Sequence, residues 1–280
     1  MTDTGIVSLI IVIANFIFSY KGLKDRTFFD KYSFEVERIL VFREYRRLIT
    51  SGFLHVSWKH LIFNMISLVA FSFLLEAGLG SLHFLLIYFG SLAGGNLLSL
   101  LIHRRNGDYS SVGASGAICG VIFACIALYP GMGINFLWLL PVPGWLYGIV
   151  YVLYAVYGIR SNNDNIGHDA HLGGALVGML IAIIIEPQAM WANFAAIIAI
   201  AVPCVFFIYV IITKPHLLLI DNFFYKQHHV FADIDDKYNF EKANRQKELD
   251  AILEKIHTKG INSLTKMERD KLERYSQQIN

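Results

Sequence analysis

Apolar positions along the chain gather into seven long runs: roughly Gly5–Tyr20, Trp58–Ala77, Leu82–Ile102, Ser115–Tyr129, Gly144–Ile159, His168–Glu186 and Met190–Thr213. A hydrocarbon core of about 30 Å takes about 20 helical residues at 1.5 Å each. Each run is therefore read as a membrane-spanning helix. The fourth is the odd one, since Ser115–Tyr129 has only 15 residues, about 22 Å at that rise. Polar RRNGDYSSVGA precedes it and Pro130-Gly131-Met132-Gly133 follows. A helix that short cannot reach both surfaces, so the pattern predicts a first turn below the surface and a loop dipping in to meet it. Backbone is tolerated at that depth only where protein buries it or water reaches it. The pattern thus predicts a wet cavity above Ser115. The alternative is a helix that starts earlier, near Asp108, and is amphipathic at that end.

The polar stretches differ in kind. The first connection, Lys21 to Ser57, carries Phe28, Phe29, Tyr32, Phe34, Phe42 and Tyr45 together with eight basic residues. Aromatic and basic side chains in this mixture predict an ordered interfacial element. Beyond Lys214-Pro215 the character changes, and Phe231–Asn280 reads as a small soluble appendage. Leu249, Ile252, Leu253 and Ile256 share one helical face, Gly260 ends that helix, and Thr265 with Glu268 forms a capping box for a second one. A plain solvated, charged terminus is the other reading of this tail. The expected organisation is a six-helix core over 1–186, an additional transmembrane helix over 187–215 and a charged helical appendage over 216–280.

Composition agrees with this pattern. Of 280 residues, 55% are hydrophobic and 16% charged, with mean hydropathy +0.48; soluble domains carry about 25% charged residues. This excludes a disordered chain, a coiled coil and a nucleic-acid-binding module, and predicts an all-α polytopic membrane protein. Cys119, Cys125 and Cys204 lie in apolar runs and do not form a disulfide framework. The opening MTDTG lacks a basic n-region, so no cleavable signal peptide is expected.

Polar residues inside apolar runs are costly and mark function by default. His60 and Asn64, four apart, share a face at the start of the second run. Gly113-Ala114-Ser115-Gly116 opens the fourth run, and His168-Asp169-Ala170-His171-Leu172-Gly173-Gly174 opens the sixth. Even-numbered spans run in the same direction, so the N-terminal ends carrying His60, Ser115 and His171 lie on one side of the bilayer and can share one cavity. Gly116 and Gly120 repeat at four-residue spacing, as do Gly174 and Gly178. Small-xxx-small faces let helices approach closely, and if these two faces meet, Ser115 and His171 come together. A serine is a weak nucleophile until a base takes its proton. An oxyanion then needs donors, which His60, Asn64 and the backbone N–H of Ser115 offer. Asp169 points elsewhere on the helix from His171, so the site reads as a Ser-His dyad. Each piece alone has a plainer reading. Ser115 alone is a packing residue, a His-x-x-x-Asn pair glues helices, and His83, His103 and His168 read as interfacial. His60, His168 and His171 make a weak zinc set, with no carboxylate or thiolate placed beside them.

At these residues the chain resembles the rhomboid family of intramembrane serine proteases. The likeness rests on His55, His60 and Asn64, on Gly113-Ala114-Ser115-Gly116, and on Ala170-His171-Leu172-Gly173-Gly174 with Gly178. It covers roughly Gly5–Glu186. The resemblance implies Ser115 as nucleophile, His171 as general base, His60 and Asn64 in the oxyanion hole, and hydrolysis of peptide bonds in or near transmembrane helices of membrane-protein substrates. No metal or organic cofactor is implied. The partners implied are transmembrane-helix substrates and the lipid bilayer, with no nucleic acid and no identified partner for the tail. The first connection resembles the family's lateral, membrane-embedded loop. Arg47 falls where the family has an arginine after a tryptophan, but Arg46 replaces that tryptophan. Cys119 stands where an aromatic often packs against the catalytic histidine. A bacterial cytoplasmic (inner) membrane is the expected location.

Orientation gives two opposed expectations. With seven spans, all 24 Lys and Arg residues fall on loops or ends of one side, half of them in the tail. The positive-inside tendency puts that side, onto which the site opens, in the cytoplasm, whereas the resemblance implies an outward-facing site. Two other functions compete with the protease: a catalytically inactive rhomboid-like binder of membrane helices, and a small proton-coupled transporter using the His60/His171 cavity.

Overall fold

The structure, a computed structural model, describes residues 5–136, 140–161 and 166–214, together with Ile252, Lys255 and Ile256. Its contacts divide the chain into Met1–Val230 and Phe231–Asn280. The tail hairpin and its capping box lie outside the described residues, apart from the three just named, all helical.

Each of the seven apolar runs is helical: α1 (Ile6–Lys24), α5 (Trp58–Leu79), α6 (Ser81–His103), α7 (Ser115–Leu128), α8 (Gly144–Ser161), α9 (His168–Ile185) and α11 (Phe194–Thr213). Among the described residues, α1, α5, α6, α9 and α11 are long and apolar enough to cross a membrane. Large apolar side chains such as Ile10, Ile17, Phe63, Leu82 and Ile184 face outward from these helices, as a lipid solvent permits. The last run is split. A short α10 (Pro187–Ala192) opens on a proline at its first position, where a missing N–H costs nothing, and ends before Asn193.

The short fourth helix begins at Ser115, not near Asp108, and 12 of its 14 residues are buried. Helix ends leave carbonyls without intrahelical partners. At the far end of α7 Asn193 answers two of them, its Nδ2 donating to the Ala127 and Leu128 oxygens at 2.9 Å each. The glycine faces do meet. A Cβ on Gly174 would lie 2.1 Å from the Gly116 oxygen, and one on Gly178 2.3 Å from the Gly120 oxygen. Backbone therefore rests on backbone between α7 and α9. A Cβ on Gly95 of α6 would likewise lie 2.4 Å from the Ala170 oxygen.

The first connection is ordered, as expected: α2 (Arg26–Tyr32), β1 (Phe34–Glu35), α3 (Val36–Leu40), α4 (Arg47–Thr50) and a 3-10 turn (Ser51–Phe53). Arg47 latches it. Its Nη1 donates to the Asp30 and Ser33 oxygens at 2.7 Å each, and its Nε to Glu44 at 2.6 Å. Burial raises the Glu44 carboxyl, but the hydrogen bond and charge of Arg47 outweigh this and hold it below its ordinary value. Phe34, Val36 and Ile39 form a small core of their own with Leu48, Leu100 and Tyr109.

The loop before Ser115 is tied to this element. Strand β2 (Ser110–Ser111) pairs antiparallel with β1. Val36 N–H donates to the Tyr109 oxygen and Glu37 N–H to the Gly107 oxygen, both at 3.1 Å, and Gly113 N–H to the Ser51 oxygen at 3.0 Å. The backbone that leads to the serine thus finds its partners in protein, as apolar surroundings require. A second hairpin, β3 (Gly133–Phe136) with β4 (Leu140–Pro143), lies between α7 and α8.

Candidate active site

A cavity of about 570 Å3 opens above the first turn of α7, with His60, Tyr109, Gly113, Ser115, His168 and Asp169 in its wall. Ser115 is the first residue of its helix, so its own N–H is among those the helix leaves without a partner. Its Oγ lies 2.7 Å from His171 Nε2. The close approach of α7 and α9 brings these two side chains together at the mouth of the glycine contact.

His60 stands in the first turn of α5, whose N-cap Ser57 accepts from the His60 N–H at 3.2 Å. Gly113 has φ +133°, and a Cβ there would lie 2.9 Å from His60 Cε1. Only glycine suits both that backbone angle and that contact. Asn64, one turn along the same face, is buried, and its Nδ2 has no hydrogen-bond partner among the described residues. The imidazole of His60 packs edge-on to His55 at 4.8 Å between ring centroids. His55 is itself fully buried, with Nδ1 2.8 Å from Ser19 Oγ. Since the Ser19 hydroxyl donates to the Phe53 oxygen at 2.9 Å, it accepts from His55 Nδ1–H. Burial, and after it the neighbouring His60, push the His55 imidazole down to about 3, so it is a neutral wall for His60.

Two parts of the surroundings escape the sequence reading. His103 and His168 are not interfacial but buried, 3% and 2% exposed. His103 Nε2 lies 3.0 Å from Asp169 Oδ2, and its ring stacks on Tyr109 at 3.5 Å and 6°. Asp169 therefore ties the first turn of α9 to the end of α6 rather than serving His171. An acidic residue at an apolar helix start needs a buried partner, and that signal pointed to His103. The second part is Tyr151 of α8. Its hydroxyl lies 3.0 Å from His171 Nδ1 and 2.9 Å from Cys119 Sγ. The aromatic missing at Cys119 thus arrives from another helix.

Glu76 is buried near the end of α5 and serves the packing. It accepts from the Val7 and Ser8 N–H groups and the Ser8 hydroxyl at the start of α1, and from the Ser81 hydroxyl at 2.8 Å. Among the described residues no three His, Cys, Asp or Glu side chains are grouped to hold a metal ion.

The tail residues 232–278 match a family of unknown function (DUF6576). Rhomboid-like protein 6, mitochondrial, of Arabidopsis thaliana is 31% identical over 188 residues, covering 63% of this chain and 59% of its own. Rhomboid protein 1, mitochondrial, of Saccharomyces cerevisiae is 34% identical over 138 residues, 48% of this chain and 40% of its own. A Bacillus subtilis relative is 33% identical over 143 residues, 50% of this chain and 66% of its own. The chain spans about half the length of the first of these curated relatives. Residues 43–188, more than half of the chain and including His60, Asn64, Ser115 and His171, match the Rhomboid domain, and the chain belongs to the rhomboid family.

Proposed function

We propose that this integral, multi-pass membrane protein is a serine endopeptidase that cuts peptide bonds in or near the transmembrane helices of other membrane proteins. The observation that carries the reading is the 2.7 Å contact between Ser115 Oγ and His171 Nε2 from two different helices, with Ser115 in the wall of the cavity. At that distance Nε2 accepts the hydroxyl proton as the oxygen attacks the scissile carbonyl. The carbonyl oxygen becomes an oxyanion, for which the Ser115 N–H, the His60 ring and Asn64 Nδ2 are the donors. The imidazolium of His171 then protonates the departing amine. A water deprotonated by the same nitrogen releases the acyl group from Ser115. A helical peptide bond is already hydrogen-bonded, so the substrate must unwind locally, and small, helix-destabilising residues are expected near the cut.

The same reading assigns 1–186 as the protease core, 187–215 as an additional transmembrane helix and 216–280 as an appendage. It takes transmembrane-helix proteins as substrates and a bacterial cytoplasmic membrane as the location. Glu76 is held by four hydrogen-bond donors, which leaves it poorly placed to carry protons for a transporter. The test is labelling of membranes with a fluorophosphonate probe beside cleavage of a model transmembrane substrate. Wild type labels and cleaves, whereas Ser115→Ala does neither and His171→Ala does not cleave. Cleavage unchanged in Ser115→Ala overturns the reading.

A further inference from the structure

A serine–histidine pair works only if the histidine presents a bare Nε2 to the serine. Neutral imidazole carries its proton on one nitrogen or the other, and the choice is set by what faces the second nitrogen. In a three-membered triad a carboxylate facing Nδ1 makes the choice. Here the neighbouring carboxylate, Asp169, lies against His103 instead. Facing Nδ1 is the phenol of Tyr151, 3.0 Å away. A phenol can donate as well as accept, so alone it would not decide the tautomer.

The second neighbour of the phenol gives its proton somewhere else to go. Tyr151 Oη lies 2.9 Å from Cys119 Sγ, one turn along α7 from Ser115, and Cys119 is 5% exposed. With the phenol proton directed to sulfur, the phenol oxygen is left as an acceptor, and Nδ1–H donates to it. Nε2 is then bare and accepts from Ser115. Every group in the row is used once: Ser115 Oγ–H to Nε2, Nδ1–H to Tyr151 Oη, Oη–H to Cys119 Sγ. Ring contacts hold Tyr151 in place, at 5.9 Å from Tyr147 and 5.6 Å from Phe123 between centroids.

We propose that Tyr151, itself oriented by Cys119, is the positioning residue that holds His171 in the tautomer able to act as base. This rests on the Ser115–His171 reading above and adds to it the part that an acid plays elsewhere. Tyr151 need not ionise, because a neutral oxygen suffices to accept from Nδ1–H. The hydrogen bond is stronger to the imidazolium than to the neutral ring, so Tyr151 also favours the protonated His171 formed when the serine attacks.

The test uses the full chain in bilayers, with rates divided by the number of sites the fluorophosphonate titrates, so that only folded, competent molecules count. Tyr151→Phe keeps the ring and loses the oxygen. His171 Nδ1 is then left without its buried partner, so kcat falls about tenfold to a hundredfold, with KM changed less than about twofold. The acid limb of kcat/KM moves to lower pH, because losing the acceptor disfavours the imidazolium. Among the described residues, Cys119 on the phenol and His168 at 5.9 Å between centroids are titratable groups near the ring; the substitution leaves both in place. Where Tyr151→Phe yields no titratable sites, the cysteine carries the test. Cys119→Ala frees the phenol proton to compete for Nδ1 and slows the reaction, whereas Cys119→Ser, an oxygen acceptor in the same place, restores it. A Tyr151→Phe enzyme with wild-type kcat and an unmoved acid limb overturns the proposal, as does a Cys119→Ala enzyme as fast as wild type. In either case silence of Ser115→Ala toward the probe leaves the dyad reading standing. Full labelling of Ser115→Ala overturns both.

Discussion

The contact between α7 and α9 sets the separation of nucleophile and base, and one methyl group tests it. In Gly174→Ala the new Cβ would lie 2.1 Å from the Gly116 oxygen and 2.8 Å from its carbonyl carbon. An ordinary carbon-to-oxygen contact is about 3.4 Å, so the two backbones must part by about 1 Å. Both atoms met are main chain, and no side chain can rotate away. Gly116 follows Ser115 directly and Gly174 is three residues on from His171, so the parting is felt almost in full at the dyad. Its 2.7 Å contact opens past the roughly 3.2 Å limit of a hydrogen bond. A misplacement of 1 Å costs about a hundredfold in rate. Overpacking costs about 1–3 kcal/mol, against which alanine returns about 1 kcal/mol of helix propensity over glycine. Cleavage should therefore fall about a hundredfold in a protein whose thermal unfolding in detergent moves only modestly. Gly131→Ala, where nothing lies within 4 Å, is the control. If Gly174→Ala cleaves at the wild-type rate, the helix contact does not govern the dyad.

Other outcomes follow from the same geometry. Gly113→Ala combines a φ of +133° with a methyl 2.9 Å from His60; the His60 ring is displaced and kcat drops at least tenfold, measured on the model substrate. His60→Ala and Asn64→Ala each lower kcat by about 10²–10³ if they face the oxyanion, and smaller losses from both would remove them from that role. Arg47→Ala leaves the Asp30 and Ser33 carbonyls and the Glu44 carboxylate without their donor, and thermal unfolding should fall by several degrees. Because Glu44 is held below its ordinary 4.5, its contribution is fully present above that pH and drains away as pH falls through the lowered folded value. The gap in melting temperature between wild type and Glu44→Gln should close over that acid range and stay constant above it.

The site was legible in the sequence to the extent that rules about backbone and parity reach it. The short fourth run gave the short helix that starts at Ser115, because a polar stretch on one side and Pro130-Gly131 on the other bound it. The Gly116/Gly120 and Gly174/Gly178 repeats gave the helix contact, because lipid offers small residues no other reward. Tyr151 was not legible. It is one of four tyrosines in α8, and which of them faces His171 depends on a rotation that the aromatic run does not encode. The replacement at Cys119 showed a gap beside the histidine but not what fills it. His103 and His168 were misplaced because a histidine at a helix end suggests interface unless a buried acid is paired with it first. The β1–β2 bridge joins two-residue segments 75 residues apart in register at Phe34 and Glu35, too short for any alternation to announce.

The fourteen residues of α7 have one more consequence. Twelve of them are enclosed by protein, so neither end of the helix has to match the thickness of the surrounding lipid. The outer helices can tilt to suit a thicker or thinner bilayer while the serine keeps its level within its own frame. A substrate helix has no such shelter and slides along its axis to keep its apolar stretch covered. Under the proposed activity, lengthening the acyl chains of a reconstituted membrane shifts which bond is presented at Ser115, and the mass of the released fragment reads out that shift.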